Sequence, residues 1–552
     1  MFSYIAKLFN SLTRTERIIF RICSVVFIIS ALTASWVVFI SSTTVAPARG
    51  GEYTEGIVGQ PVAINPLQIG STATDKDLIT ILFADLVTLS QNIATSTTGK
   101  VWVVTLQKDL VWSDGKAITA DDVLFTVHTI QNPDAGSALF TSWQGITAER
   151  VSQQEVKFTL RQPYRYFIDS LRSLRIVPAH AFESIPVANI HLSDYNLQPI
   201  TSGAYDFVNF EKRPDGFITE YHLAASNTYV GTRALIENLN IKFFPTYNDA
   251  FIAFNRKSID GIGGFDPVNL ADLKISHRVY ELDLPQYFAL FFNQSTNPIL
   301  KEKTVRTALT LATDKMAIIE EVQGGHARLS NGPLPSSMDG YDDEIYAQDY
   351  ASTTEAIELL TKQRWIIGSD GIRTRGSGKN ADKLDFELTV PEIPFLIKTA
   401  ELIKEQWQEI GVRLTIKSVP SSELQQLIIK PRDYQILLFG NILRGNSDLF
   451  AFWGSSQRFD PGLNLTLYNN RVVDKSIETT RTSFDEEVKI KSLEKIQQQI
   501  HVDKPAIFLF SPTYLYAAPT SLGGLETSLI SSPENRLAKI NQWFLKTSRV
   551  FK

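Results

Sequence analysis

Cysteine is almost absent from this 552-residue sequence, and the single Cys23 excludes an intramolecular disulfide and every cysteine-based metal cluster. A basic excess is missing as well: 54 Lys and Arg stand against 59 Asp and Glu, a formal net charge of -5. These cations are scattered rather than striped, so the chain carries no electrostatic footprint for nucleic acid. HExxH, GxSxG, P-loop and CxxC signatures are not found, and the seven histidines, at 128, 180, 191, 222, 277, 326 and 501, show no ligand spacing. The acidic run DGYDDE at residues 339–344 lacks the EF-hand pattern and reads as a solvated loop. No metal, cofactor or chemical step is expected from these residues.

What is present is a globular composition, 43% hydrophobic and 20% charged, on a chain too long for one core. Residues 22–40, ICSVVFIISALTASWVVFI, run without a charge. As a helix they reach ~28 Å, about one bilayer core. Lys7, Arg14, Arg17 and Arg21 precede the run and only Arg49 follows closely, so the positive-inside rule puts residues 1–21 in the cytoplasm and the rest outside. Two readings stand for the run: an uncleaved anchor, favoured by its length, or a signal processed at the small-residue site Ala46-Pro47-Ala48. Cys23 sits at the start of the run, poorly placed for lipidation. Residues 41–52, SSTTVAPARGGE, read as a short linker.

Beyond the linker, strand and helix signals mix. Residues 101–106 form a β-rich run, Ser113-Asp114-Gly115 a turn, and Thr119 to Asp122 a capping-box start for a helix with Val123, Val127 and Ile130 on one face. Val156, Phe158 and Leu160 alternate as in a half-buried strand. Val305, Ala308, Leu309, Ala312, Met316 and Ile319 have the spacing of one helix with a single buried face. Leu396, Ala400, Ile403, Trp407 and Ile410 give another, capped by Gly411 and followed at once by a strand, which is α/β grammar. YQILLFG (434–440) and AIFLF (506–510) suit strands covered on both faces.

The stretch VWVVTLQKDLVWSDGKAITADDVLFTV (101–127) resembles the signature of the family 5 extracellular solute-binding proteins, which include dipeptide- and oligopeptide-binding receptors of ABC importers. EGIVGQPVAINP, VKFTLRQPYRYFIDSL, TSGAYDF, FALFFNQ, VRTALTLATDK, NGPLP and DLFAFWGSSQ follow in the family's order, and the resemblance covers residues 52–545. It implies an α/β two-lobed periplasmic-binding-protein fold of type II, the large peptide-binding class. Lobe I would hold residues 52–285, with an extra subdomain inserted at about 90–200, lobe II residues 286–508, and residues 509–552 would return to lobe I. The crossings fall at residues 284–293 and 505–513, where a two-strand hinge allows closure. The implied function is a monomeric, extracytoplasmic receptor delivering peptides to ABC permease subunits. A sugar, metal chelate or haem is the alternative cargo, and an anchored sensor or chaperone uncoupled from transport the alternative role.

Peptide-binding relatives hold a ligand ammonium with an acidic residue in the loop after a strand like YQILLFG, and here that loop reads GNILRGNSDLFAFW. Asn446 takes the first acidic position and carries no charge, so ammonium recognition rests on Asp448 or is absent; a helix-capping turn suits the same residues equally. Phe450 and Trp453 are candidates for an apolar pocket or for core. Asn441 and Arg444 share the loop, and Arg444 is placed to meet a ligand carboxylate or solvent. Tyr53, Val58 and Gly59 lie on the opening strand, whose backbone is a candidate for hydrogen-bonding an extended ligand. Tyr287 is a further candidate beside the second lobe.

Overall fold

The computed structural model describes residues 13–68, 72–378 and 381–552. Lys7 and the remainder of 1–12 lie outside the described residues. The apolar run sits within one long helix, Arg14–Ser42, with no buried side chain. Thr13 caps it: its hydroxyl accepts from Glu16 N, and the Glu16 carboxylate accepts from Thr13 N at 2.8 Å.

The segment read as a linker is not one. Thr43–Ala48 is a strand paired antiparallel with Lys546–Phe551, in register from Thr43 opposite Phe551 to Ala48 opposite Lys546. Both segments are rich in Thr and Val, which favour extended backbone. Pro47 is tolerated because the ribbon has only two strands and hence free edges. The turn-forming part is short, with Gly50 and Gly51 at φ of +113° and +100°.

Among the described residues, one sheet of twelve strands runs through the body of the protein. Ten follow in the order Arg413–Val419, Asp385–Pro391, Ile436–Ile442, Gln286–Phe292, Ala506–Ala518, Gly261–Gly263, Glu52–Val58, Asn238–Phe244, Ile218–Ala225 and Tyr205–Lys212, and Arg278–Asp283 and Ala327–Leu329 pair with Ala506–Ala518 off this path. Ala506–Ala518 joins the two halves. Its first part pairs with Gln286–Phe292 (Phe291 opposite Ala506), and its second with Arg278–Asp283 (Asp283 opposite Thr513, Arg278 opposite Ala518). Between these partners lies Leu284-Pro285, pinned where Ser511 Oγ donates to Leu284 O at 3.1 Å.

The cores divide at the same place. Tyr53 to Phe243 pack with Tyr516 to Trp543 in lobe I. In lobe II the central strands are covered on both faces: Leu290, Phe292, Ile436, Leu438 and Leu509 point to one core, Tyr287, Ala289, Phe291, Leu437 and Phe508 to the other. That double burial is why these strands read as unbroken apolar runs. Pro394–Glu409 crosses between the parallel strands Asp385–Pro391 and Arg413–Val419, burying Leu396, Ala400, Ile403 and Trp407.

A second, four-stranded antiparallel sheet is made of Ser90–Thr95, Val101–Leu106, Glu155–Thr159 and Thr147–Ser152. Trp102, Trp143, Phe158 and Phe167 pack edge to face beneath it, ring centroids 5.6 to 6.0 Å apart. The helix Ala120–Ile130 starts at the Thr119–Asp122 capping box.

One helix expectation is overturned. Residues 303–323 form two helices, Lys303–Leu311 and Lys315–Gln323, because Asp314 accepts from Ala317 N at 3.0 Å and starts the second. Thr313 ends the first by donating to Leu309 O and accepting from Trp407 Nε1. Met316, counted on the buried face, is 60% exposed.

Candidate functional site

The loop after Ile436–Ile442 lies where the two lobes meet. Gly445, at φ +84°, has an imagined Cβ only 2.5 Å from Ser531 Cβ, so any side chain there would drive the loop off the C-terminal part of lobe I. On the other side the loop meets the segment that follows the four-stranded sheet. Asp448 Oδ2 accepts from Tyr164 Oη at 3.0 Å, and Ser447 Oγ lies 3.3 Å from Tyr166 Oη. Asn446 Oδ1 accepts from Asp448 N, and Asp448 Oδ1 from Phe450 N, both at 3.1 Å. These short-range bonds fix the turn that leads into the short helix Phe450–Trp453, whose N-cap is Leu449 without a side-chain capping bond.

Asp448 is already paired. Arg481 Nε donates to Oδ2 at 3.1 Å, and the Arg481 guanidinium carbon lies 4.2 Å from the Phe450 ring centroid and 5.2 Å from that of Tyr164. Phe450 thus carries a cation on one face. Burial, and then the Asp448 charge, push the Tyr164 hydroxyl well above the usual tyrosine range, so Tyr164 stays a donor. Burial raises the neighbouring Asp169 carboxyl, against Arg172 and the Asn446 amide, which favour its charge.

Contact between lobes continues along one strip. Arg165 N donates to Arg481 O at 2.8 Å, its guanidinium to Ser483 O at 2.9 Å and to Glu486 Oε2 at 2.6 Å. Phe484 meets Trp102 at 6.0 Å between ring centroids. Tyr164, Arg165, Tyr166, Arg481 and Phe484 were not singled out from sequence. The one available signal was the Tyr-Arg-Tyr triplet at 164–166, aromatic and basic directly after a hairpin.

Several candidates lie elsewhere. Tyr287 Oη accepts from Asn441 Nδ2 at 2.9 Å and from Trp453 Nε1 at 3.1 Å, and the three side chains are buried in the lobe II core with Phe508. Their exposures are 0%, 3% and 1% for Tyr287, Asn441 and Trp453. Arg444 is exposed at φ +55°. Tyr53 is fully buried, its hydroxyl 2.7 Å from that of Tyr516, which donates to Glu55 Oε2 at 2.6 Å. Arg536 completes this network with Nη2 3.1 Å from Glu55 Oε1 and both terminal nitrogens on Asp77, at 2.8 and 2.7 Å.

The backbone of Glu52–Val58 is not a free edge over most of its length. Asn238–Phe244 pairs with all seven residues on one side, while Gly261 and Ile262 cover Glu55 and Gly56 on the other. Gly59 N donates to Phe244 O at 2.8 Å. A cavity of about 600 Å³ lies in lobe I, lined by Arg278 to Leu282, Leu522 to Ser528 and Phe544.

The family model described as bacterial extracellular solute-binding proteins, family 5 Middle, matches residues 87–460, a span that takes in the four-stranded sheet, the crossing and the loop. The chain belongs to this family. The family 5 chain is similar over 521 residues to the oligopeptide-binding protein AppA of Bacillus subtilis, 25% identical, covering 90% of this chain and 92% of the relative. The structure of that protein in complex with a nonapeptide superposes with a TM-score of 0.67 at 24% identity, over 91% of this chain and 100% of the other. NikZ from Campylobacter jejuni, solved in complex with Ni(L-His), gives 0.66 at 22% identity, over 89% and 99%. The fold is thus that of two-lobed solute-binding proteins, and the lobe contact described above belongs to that architecture.

Proposed function

We propose that this family 5 protein is the receptor of an ABC importer, taking peptides between its lobes and passing them to membrane permease subunits. The observation that carries the reading is the joint between lobes. Ala506–Ala518 threads both, Leu284-Pro285 interrupts a second crossing between Arg278–Asp283 and Gln286–Phe292, and residues 446–448 and 481–486 of lobe II close on Tyr164 to Tyr166. A rotation at Leu284-Pro285 separates these contacts while leaving each core intact. The relation to an oligopeptide-binding protein over nearly its whole length supports peptide as the cargo. On its side away from Asn238–Phe244, the half-buried backbone at Val58, beyond the Gly261–Gly263 pairing, offers an extended ligand hydrogen bonds, and the exposed Arg444 offers a ligand carboxylate a partner.

The protein acts as a monomer held at the outer face of the membrane by Arg14–Ser42, and no chemical step is assigned to it. Unfolding of the full chain in detergent, with and without peptide pools, tests the cargo. A ligand at 100 times its Kd stabilises by ~2.7 kcal/mol.

A second reading is a non-peptide solute. It is favoured by the loop itself: Asn446 is neutral and Asp448 is occupied by Arg481 and Tyr164, which leaves no free carboxylate there for a ligand ammonium. A metal chelate is the cargo of one solved neighbour. Stabilisation by nickel-histidine with none by peptides would decide for it.

A further inference from the structure

The outer end of the long helix is finished by a part of the chain some five hundred residues away. The last turn of a helix leaves carbonyls without partners, and lipid supplies no donor for them. Here the Val38 carbonyl accepts from Ser41 Oγ at 3.0 Å and that of Phe39 from Thr43 Oγ1 at 2.6 Å. The next partners come from the far strand. Arg549 Nη1 donates to Ile40 O at 3.4 Å and to Thr43 Oγ1 at 3.0 Å, and Lys552 N donates to Ser42 O at 3.0 Å. A cation at a helix C-terminus also meets the negative end of its dipole.

The same strand lays apolar surface at that level. Phe551, opposite Thr43, meets Phe39 edge to face at 6.4 Å and is otherwise 76% exposed. Trp36, one turn below, is 64% exposed. Val45 and Val550 are exposed on opposite faces of the ribbon. Aromatic rings with adjacent Arg and Lys at the end of an apolar span are what the headgroup layer accommodates. At ~3.3 Å per residue, the ribbon ends are ~17 Å apart, so Lys546 and Ala48 stand clear of that layer.

We propose that the ribbon Thr43–Ala48 with Lys546–Phe551 is a membrane-surface collar. Phe551 and Arg549 sit in the phospholipid headgroups, and the lobes are held by two chain segments rather than by a single tether. The proposal rests on the reading of Arg14–Ser42 as a retained anchor. Removal of the helix at the 46–48 site would take most of the first strand with it.

The test places spin labels in the full chain, with Cys23→Ser, reconstituted in phosphatidylethanolamine and phosphatidylglycerol vesicles. Labels at Val550→Cys and Thr547→Cys compare the two ends of the ribbon, Ser30→Cys reports the helix, and exposed Val151→Cys reports bulk water. Accessibility to oxygen and to a water-soluble nickel chelate gives depth. The collar requires Val550→Cys at headgroup depth, Thr547→Cys in water, and loss of depth at 550 when Phe551→Asp is added. A 550 label as wet as the one at 151, with Ser30→Cys deep in the bilayer, overturns the collar and keeps the anchor. A wet label at 30 overturns both.

Discussion

Tyr164 and Asp448 belong to different lobes and share one hydrogen bond, 3.0 Å from phenol to carboxylate. Arg481 Nε donates to the same oxygen and Phe450 N to the other, so the carboxylate faces Tyr164 in a fixed orientation. A neutral donor on a charged acceptor contributes ~1.5–3 kcal/mol net. Tyr164→Phe is expected to shift the lobes toward separation by roughly 10- to 150-fold in population. Labels at Val151→Cys and Val472→Cys, in the Cys23→Ser background, would show this as added long distances in pulsed EPR. An unchanged distribution would mean that the bond does not hold the lobes.

Asp448→Asn tests whether the same carboxylate also reads a ligand ammonium. With the carboxylate serving as a latch, the substitution lowers the population of the closed form and weakens all peptides alike, free or N-acetylated, by the same factor. Calorimetric titration of both kinds is the measurement. Selective loss of free-amine peptides would reassign Asp448 to ligand recognition.

Arg536 balances Glu55 and Asp77 in the lobe I core, with side-chain exposures of 3%, 0% and 9%. Burial raises both carboxyls, and Arg536 opposes it. Arg536→Met strands two buried acids and is expected to cost ~3–5 kcal/mol in urea unfolding. The loss should shrink at acid pH, where the stranded carboxyls take up protons.

Lys315 gives a pH signature. It donates to Asn331 Oδ1 at 2.9 Å, and burial holds its ammonium down to about 8, with Asp349 opposing and Lys504 adding to the shift. An unfolded lysine titrates near ~10.4, so between about 8 and that value the unfolded chain binds more protons. Stability therefore rises with pH across this window, and the cost of the buried charge is full below it. Lys315→Met should remove that rise, on the order of 1–3 kcal/mol between pH ~8 and ~10.4. Denaturant midpoints of the two proteins at each pH give the comparison.

Local patterns were readable where a residue's neighbours in sequence are its neighbours in space. The Thr119 capping box, the Trp407 helix and the doubly covered strands around Leu437 and Leu509 are of this kind. The loop at 446–448 was found from sequence, but its partners were not. Tyr164 lies 284 residues away and Arg481 33, and no periodicity links them. Thr43–Ala48 looked like a linker because its pairing strand is at the far end of the chain. Tyr287, Asn441 and Trp453 looked like pocket residues because polar-tipped side chains suit a cleft and a core equally; here they are buried and hydrogen-bonded to one another.

The central claim is a receptor whose lobes close on peptide. Its most direct test is the 151–472 distance in the doubly labelled full chain, recorded with Tyr164→Phe in place and peptide titrated from dipeptides to nonapeptides. Bound peptide is expected to restore the short distance that Tyr164→Phe loses, saturating at the calorimetric Kd. Peptide binding that leaves the distance distribution unchanged, or no binding by any peptide of this range, would contradict it.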